Sequence, residues 1–268
     1  MANLSIFSDI QTYFQTIIGD TSINTTFQND LINQGHEFIG YSFPWPFMKK
    51  LWATKILSYE TQYDLPSDWR EFDRLIVQGK EYSPVDREQL RDNSGVFYID
   101  RVEDQILINP VPTTNQDSTT ASNTETAGSD VVIEVADESI FAVGDEIYIN
   151  STVKQTSIIS AVDATNSTIT ATINNAVQSS SSIWVLEDGI YAEYFKTSTK
   201  LSGASDTTDL PVWMRPAIAE YAAYLYFISI EDGTRASNWL NTFNTHLKEY
   251  WYNLQFQTQQ DGIKFRIK

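Results

Sequence analysis

Residues 208–257 read TDLPVWMRPAIAEYAAYLYFISIEDGTRASNWLNTFNTHLKEYWYNLQFQ. This stretch decides the fold, because it predicts two long helices joined by a tight turn. Asp209 suits an N-cap, and Pro211 suits the first helical turn, where its missing N–H costs nothing. From Met214 the apolar residues are nearly continuous, through Ile218, Tyr221, Ala222, Leu225, Tyr226 and Ile228. A helix apolar around most of its circumference is buried on more than one side. Glu231-Asp232-Gly233 ends it, with Gly233 expected in the left-handed C-terminal conformation. Helical spacing resumes at Trp239, Leu240, Phe243, Leu247, Tyr250, Trp251 and Leu254. Such a pair is a packing platform. Trp213, Tyr221, Tyr224, Trp239, Phe243 and Trp251 are expected in the core or between subunits.

The N-terminal segment mirrors it. Leu4, Ile6, Phe7, Ile10, Phe14, Ile17 and Ile18 predict a helix over 3–18, stopped by Gly19-Asp20. Ser22 or Asn24 then caps a second helix carrying Phe27, Leu31, Ile32, His36, Phe38 and Ile39, which Gly40 and the rigid PWPF at 44–47 end. The fold class is therefore read as α+β, with a four-helix core formed by both termini.

Between these ends the period changes. Residues 51–65 alternate as one strand, and Phe72–Gln78 form another that ends in a Gly79-Lys80 turn. Tyr82–Leu90 reads as a short helix or loop. VFYIDRVEDQILINPVP at 96–112 reads as a hairpin around Arg101–Asp104. Residues 113–129 hold no large apolar side chain and read as a polar linker. Residues 130–189 carry the runs VVIEV, EIYIN, TSIISAV, STITATI and SIWVL between turn signals, the texture of a small all-β domain inserted into its parent. The parent resumes at the strand Ile190–Lys196. The expected division is thus 1–112 with 190–257 as a helical core with β elements, 113–129 as linker, 130–189 as inserted β-domain, and 258–268 as a C-terminal docking arm. In that arm Ile263, Phe265 and Ile267 alternate with Lys264, Arg266 and Lys268, the pattern of a strand with one apolar and one basic face, the alternative being a disordered tail.

Of 268 residues 41% are hydrophobic, enough for a sizeable core, and no apolar run approaches the ~20 residues of a membrane helix. MANLSIFSDIQTYF lacks the basic and apolar regions of a secretory signal. The net charge is −17, from 35 acidic and 18 basic residues. Binding nucleic acid by phosphate neutralisation needs clustered Lys and Arg; the acidic surface reads first as simple solubility, or as one that repels DNA and lets it pass without sticking. The absence of cysteine excludes disulfides, thiolate metal sites and cysteine nucleophiles.

The chemistry-bearing residues are sparse. His36 and His246 are the two histidines, and each lies on an expected helix as a packing group, outside any metal-ligand spacing. No glycine loop for phosphates and no nucleophile elbow is present. Asp64/Asp68, Asp100/Glu103/Asp104, Asp137/Glu138, Asp145/Glu146 and Glu187/Asp188 read as turn formers at strand ends. No enzyme, cofactor or metal is expected.

The order and texture of the elements resemble the head-to-tail connector (adaptor) proteins of tailed bacteriophages. The resemblance is carried by Phe43-Pro44-Trp45 after the helix pair, by Tyr63-Asp64-Leu65-Pro66-Ser67-Asp68-Trp69-Arg70-Glu71, and by Ile108-Asn109-Pro110-Val111-Pro112. Tyr191-Ala192-Glu193-Tyr194-Phe195 and Asp209-Leu210-Pro211 before the alanine-bearing helix complete it. It implies a structural virion protein of the neck, made in the host cytoplasm. It implies a homo-oligomeric ring, commonly a dodecamer, between the portal protein and a tail or second neck protein, with DNA passing through the lumen and no membrane. On that reading Ile263, Lys264, Phe265, Arg266, Ile267 and Lys268 are the candidate portal-docking segment. The alternative is a receptor- or carbohydrate-binding virion protein using the inserted β-domain.

Overall fold

A computed structural model describes residues 4–260, with side chains described to Leu254. It divides into a helical unit, from the chain up to Lys49 and from Phe195 onward, and a β unit, Lys50–Tyr194. The helices among the described residues are α1 (Phe7–Ile18), α2 (Thr25–Ser42), α3 (Arg87–Leu90), α4 (Arg215–Ser229) and α5 (Gly233–Gln260).

In the helical unit, α4 packs against α1, α2 and α5. Phe7, Ile10, Phe14 and Ile18 bury one face of α1, and Leu31, Ile32 and Ile39 one face of α2. These residues share a cluster with Ile218, Ala222, Phe227, Phe243 and Leu247. Asp9 caps α1 by accepting from the backbone N–H groups of Ser5 (2.8 Å) and Ile6 (3.1 Å), and Gly19 ends it in the left-handed region at φ 72°. Of the two candidate caps for α2, Asn24 is used, accepting from Phe27 N–H at 3.1 Å.

Three expected boundaries are corrected. Gly40 lies inside α2, where a Cβ would overlap the Ser198 hydroxyl; its smallness serves packing. Asp209 caps no helix, because a short 3₁₀ turn, Val212–Met214, separates it from α4. Its carboxylate instead accepts from Thr199 N–H at 2.7 Å and pairs with Lys196. Glu231, at φ 61°, makes the left-handed turn assigned to Gly233, which opens α5. Arg215 is buried at the start of α4 and donates to the carbonyls of Leu210 (3.0 Å), Leu4 (2.8 Å) and Ser5 (2.6 Å).

The strands are β1 (Lys49–Thr54), β2 (Gln62–Asp64), β3 (Trp69–Val77), β4 (Lys80–Pro84), β5 (Val96–Asp100), β6 (Gln105–Asn109), β7 (Thr119–Thr120), β8 (Gly128–Glu134), β9 (Glu146–Asn150), β10 (Gln155–Asp163), β11 (Thr168–Ile173), β12 (Ser182–Val185) and β13 (Ile190–Lys196). One sheet has seven strands in the order β1-β13-β3-β4-β5-β6-β2. The single strand expected over 51–65 is two strands, on opposite edges of this sheet. The chain turns between them at Tyr59 (φ 62°), and Gln116 N–H donates to the Ile56 carbonyl at 3.0 Å. The predicted hairpin is β5–β6, paired in register from Val96–Asn109 to Asp100–Gln105. Trp52, Tyr63, Leu75, Tyr82, Phe97 and Ile106 fill the sheet's buried face.

The second sheet has the order β7-β12-β9-β10-β11-β8. It curls until its ends meet: Ala121 bridges Val135 antiparallel, Ser122 N–H donates to the Glu134 carbonyl at 2.8 Å, and Ala136 N–H to the Thr120 carbonyl at 3.0 Å. Ile133, Phe141, Ile147, Ile149, Ile159, Ile169 and Ile183 fill the interior. Residues 113–129, expected as a polar linker, therefore supply β7 and the closing contact. Thr119 is buried and its hydroxyl accepts from Asp137 N–H at 2.8 Å. Hydrogen bonding of backbone, invisible to hydropathy, places this stretch in the sheet.

Candidate functional site

Aromatic side chains cluster in the helical unit. Phe38 of α2 stacks on Tyr221 of α4 with ring centres 4.3 Å apart and planes 11° from parallel. Tyr221 also meets Phe243 at 5.0 Å and Tyr224 at 5.5 Å. Phe43 stacks on Trp251 of α5 at 4.8 Å, and Trp45 meets the same indole edge-on at 5.5 Å. Trp213, still 38% exposed, meets Tyr250 at 5.2 Å. Of the six aromatics expected in packing roles, Phe243 is fully buried. Tyr221, Tyr224, Trp239 and Trp251 are half-buried against the helical cluster, and Trp213 stands at its rim. Ile263–Lys268 lie outside the described residues.

The two histidines differ. His36 is buried on α2, which drives its pKa down to about 4, and its Nε2 has no hydrogen-bond partner among the described residues. His246 on α5 is half-exposed, and its Nδ1 lies 2.9 and 3.0 Å from the two oxygens of Glu220. Glu220 is 3% exposed on α4; burial pushes its pKa up, opposed by His246. Sequence reasoning missed this carboxylate. Its signal was one acid in the otherwise apolar run of α4.

Three of the acidic groups place one carboxylate in a turn. Asp100 accepts from Val102 N–H at 3.0 Å, Asp137 from Ser139 N–H at 3.0 Å, and Asp145 from Ala142 N–H at 2.7 Å. Asp68 accepts from Lys50 at 2.6 Å and from the Tyr194 hydroxyl at 2.7 Å. Among the described residues no group of three His, Cys, Asp or Glu is placed to hold a metal, and no helix is long and apolar enough to cross a membrane.

Within the β unit the curled sheet is tied to the seven-stranded one. Ala53, Tyr148, Trp184 and Leu186 form a buried cluster with Tyr191 packed on it. Gln116 accepts from Ile56 N–H at 3.3 Å and donates to the Val185 carbonyl at 2.7 Å.

Comparison with known families gives the class. The SU10 adaptor protein model matches residues 5–263, from the start of the helical unit through both sheets and beyond α5. This places the chain among the structural adaptors of bacteriophages, the class its sequence resembles. Specifically, it belongs to the SU10 adaptor protein family. No curated protein matches it.

Proposed function

We propose that this protein is a head-to-tail adaptor that forms a ring between portal and tail, through which DNA passes. The family match carries the reading. In it α1, α2, α4 and α5 form the body of the subunit, a four-helix core closed by both ends of the chain. The partly exposed aromatics Tyr221, Tyr224, Trp213 and Trp251 supply faces to neighbouring copies. The net charge of −17 supports the passage of DNA, since twelve such subunits would carry roughly −200 charges. The curled sheet, fixed to its neighbour through Gln116 and Trp184, is a rigid appendage of the ring.

Imaging tests this. The β10–β11 turn, Ala164–Asn166, is exposed and accepts an affinity tag for gold labelling. Labelled particles should show gold in a ring at the head–tail junction. Gold at fibre tips would support the receptor-binding alternative, and unlabelled particles would remove the protein from the virion.

A further inference from the structure

Beyond β13, residues 197–200 form no turn or helix and run along α2 in the opposite direction. Ser198 Oγ donates to the His36 carbonyl at 3.4 Å. Further on, Leu201 N–H donates to Asn33 Oδ1 at 2.8 Å, and Asn33 Nδ2 donates to the Leu201 carbonyl at 2.9 Å. Between them Thr199 N–H donates to Asp209 at 2.7 Å. Ser198 and Lys200 differ, for neither makes a backbone hydrogen bond among the described residues. Alternate residues of an extended chain turn their N–H and C=O groups to the same side, so these two present an open strand edge.

The segment borders a cleft of about 520 Å³ whose other wall is a stripe of α2. Asp30, Gln34, Glu37 and Tyr41 recur at helical spacing along one face, over about 16 Å, the length of about five extended residues. Asp30 and Glu37 are exposed, and neither carboxylate has a partner among the described residues. Lys200 is the one basic side chain among the described residues that line the cleft. His36 lines it too; it is 1% exposed, and its Nε2 lacks a hydrogen-bond partner among the described residues. A bare backbone edge beside two unneutralised carboxylates is matched by a chain that is both extended and basic.

We propose that this cleft receives residues 263–268 of a second copy of the chain, as a strand paired with the edge at Ser198 and Lys200. That segment, outside the described residues, is the sequence Ile-Lys-Phe-Arg-Ile-Lys, which alternates as a strand does and gathers three basic residues in an otherwise acidic chain. Lys264, Arg266 and Lys268 share one face of such a strand and meet Asp30 and Glu37 of α2. Ile263, Phe265 and Ile267 share the other, turned toward the copy that supplies the segment. This contact adds to the ring proposed above and does not depend on where the ring sits. A segment held there is not offered to the portal at the same time.

The test compares three proteins by sedimentation velocity: the full chain, the chain ending at Gln260, and the full chain with Asp30→Lys and Glu37→Lys. All three should keep the same circular dichroism spectrum, since the changed side chains are exposed. Self-association of the full chain should weaken on truncation and on charge reversal alike. The synthetic peptide DGIKFRIK should bind the shortened chain, about tenfold more weakly once both charges are reversed. Two further peptides, N-methylated at Phe265 or at Arg266, should differ sharply. Adjacent N–H groups of a strand point to opposite sides, so only one of the two meets the edge. Equal effects of the two methylations would leave charge attraction alone and overturn the proposal. Self-association untouched by truncation would overturn it, as would peptide binding indifferent to the two reversals. So would a full chain that stays monomeric well above the peptide's Kd, whether its own segment fills the cleft or the cleft stands open. Loss of portal binding on truncation, with self-association unchanged, would overturn it as well.

Discussion

Glu220 and His246 stand on different helices, 26 residues apart, with both carboxylate oxygens within 3.0 Å of one imidazole nitrogen. The carboxylate is buried and the imidazole half-exposed, so α4 and α5 are clasped by a pair that is polar only on its outer side. Removing the histidine strands an acid in an apolar cluster. His246→Ala is expected to lower unfolding free energy by about 2 kcal/mol, less than for a fully buried pair. Glu220→Gln should cost under half as much. Urea unfolding at neutral pH measures both.

Burial raises the pKa of Glu220 above its ordinary value of 4.5. The folded chain therefore keeps a proton that the unfolded chain has released, and this group's contribution falls as pH rises from 4.5 through the raised value. A Glu220→Gln chain should lose that part of the slope. An unchanged slope would show that Glu220 stays fully ionised in its pocket.

His36 acts in the opposite sense. Its pKa falls from 6.5 to about 4 on folding, so the stability it allows is complete above 6.5 and is lost as pH drops toward 4. About 3 kcal/mol should disappear across that window. Unfolding curves of the native chain and of His36→Gln, taken at a series of pH values, should converge in acid as the native chain weakens. Parallel curves would mean that the imidazole is protonated without cost.

Gly35 sets the approach of α2 to α4. A Cβ there would lie 2.6 Å from the Ile218 carbonyl oxygen, a backbone atom of the facing helix. Alanine would gain about 1 kcal/mol of helix propensity and lose about 1–3 kcal/mol by overpacking. Gly35→Ala should therefore destabilise the chain, whereas Gly233→Ala, with nothing within 4 Å of the added atom, should not. Thermal melting of the two variants decides between propensity and packing.

The curled sheet should fold by itself when it is cut to include its closing contact. A fragment of residues 117–187 keeps β7 and the Ala121–Val135 bridge. One of residues 130–189 lacks both and leaves the interior open along a seam. The longer fragment is expected to unfold cooperatively in urea, and the shorter one to show no transition. Cooperative unfolding of both would make β7 dispensable.

Much of this was legible in advance where apolar periodicity is strong. Phe7, Ile10, Phe14 and Ile18 announce α1, and the strand Ile190–Lys196 has the bounds its alternation predicts. The resemblance to phage adaptors, resting on local texture, agrees with the family to which the chain belongs. What escaped depends on partners remote in sequence. Gly40 reads as a helix stop until Ser198 closes on it. Thr119 and Ala121 read as linker because they join the sheet through backbone pairing, to which polarity is no guide. Asp209 looks like a cap until Lys196 takes it.

The position of β13 bears on how the protein is made. It lies between β1 and β3 in the sheet, yet the whole curled sheet separates it from them in the chain. At ribosomal speeds, β3 waits on the order of ten seconds for this neighbour to emerge. The curled sheet, complete by Val185, is synthesised within that interval. The nascent chain thus holds a finished module on an unfinished one, whose β3 has not yet met β13. In the helical unit Leu4 and Ser5 wait longer still, for Arg215, 211 and 210 residues further on. Helices α1 and α2 likewise wait for α4, which packs against both.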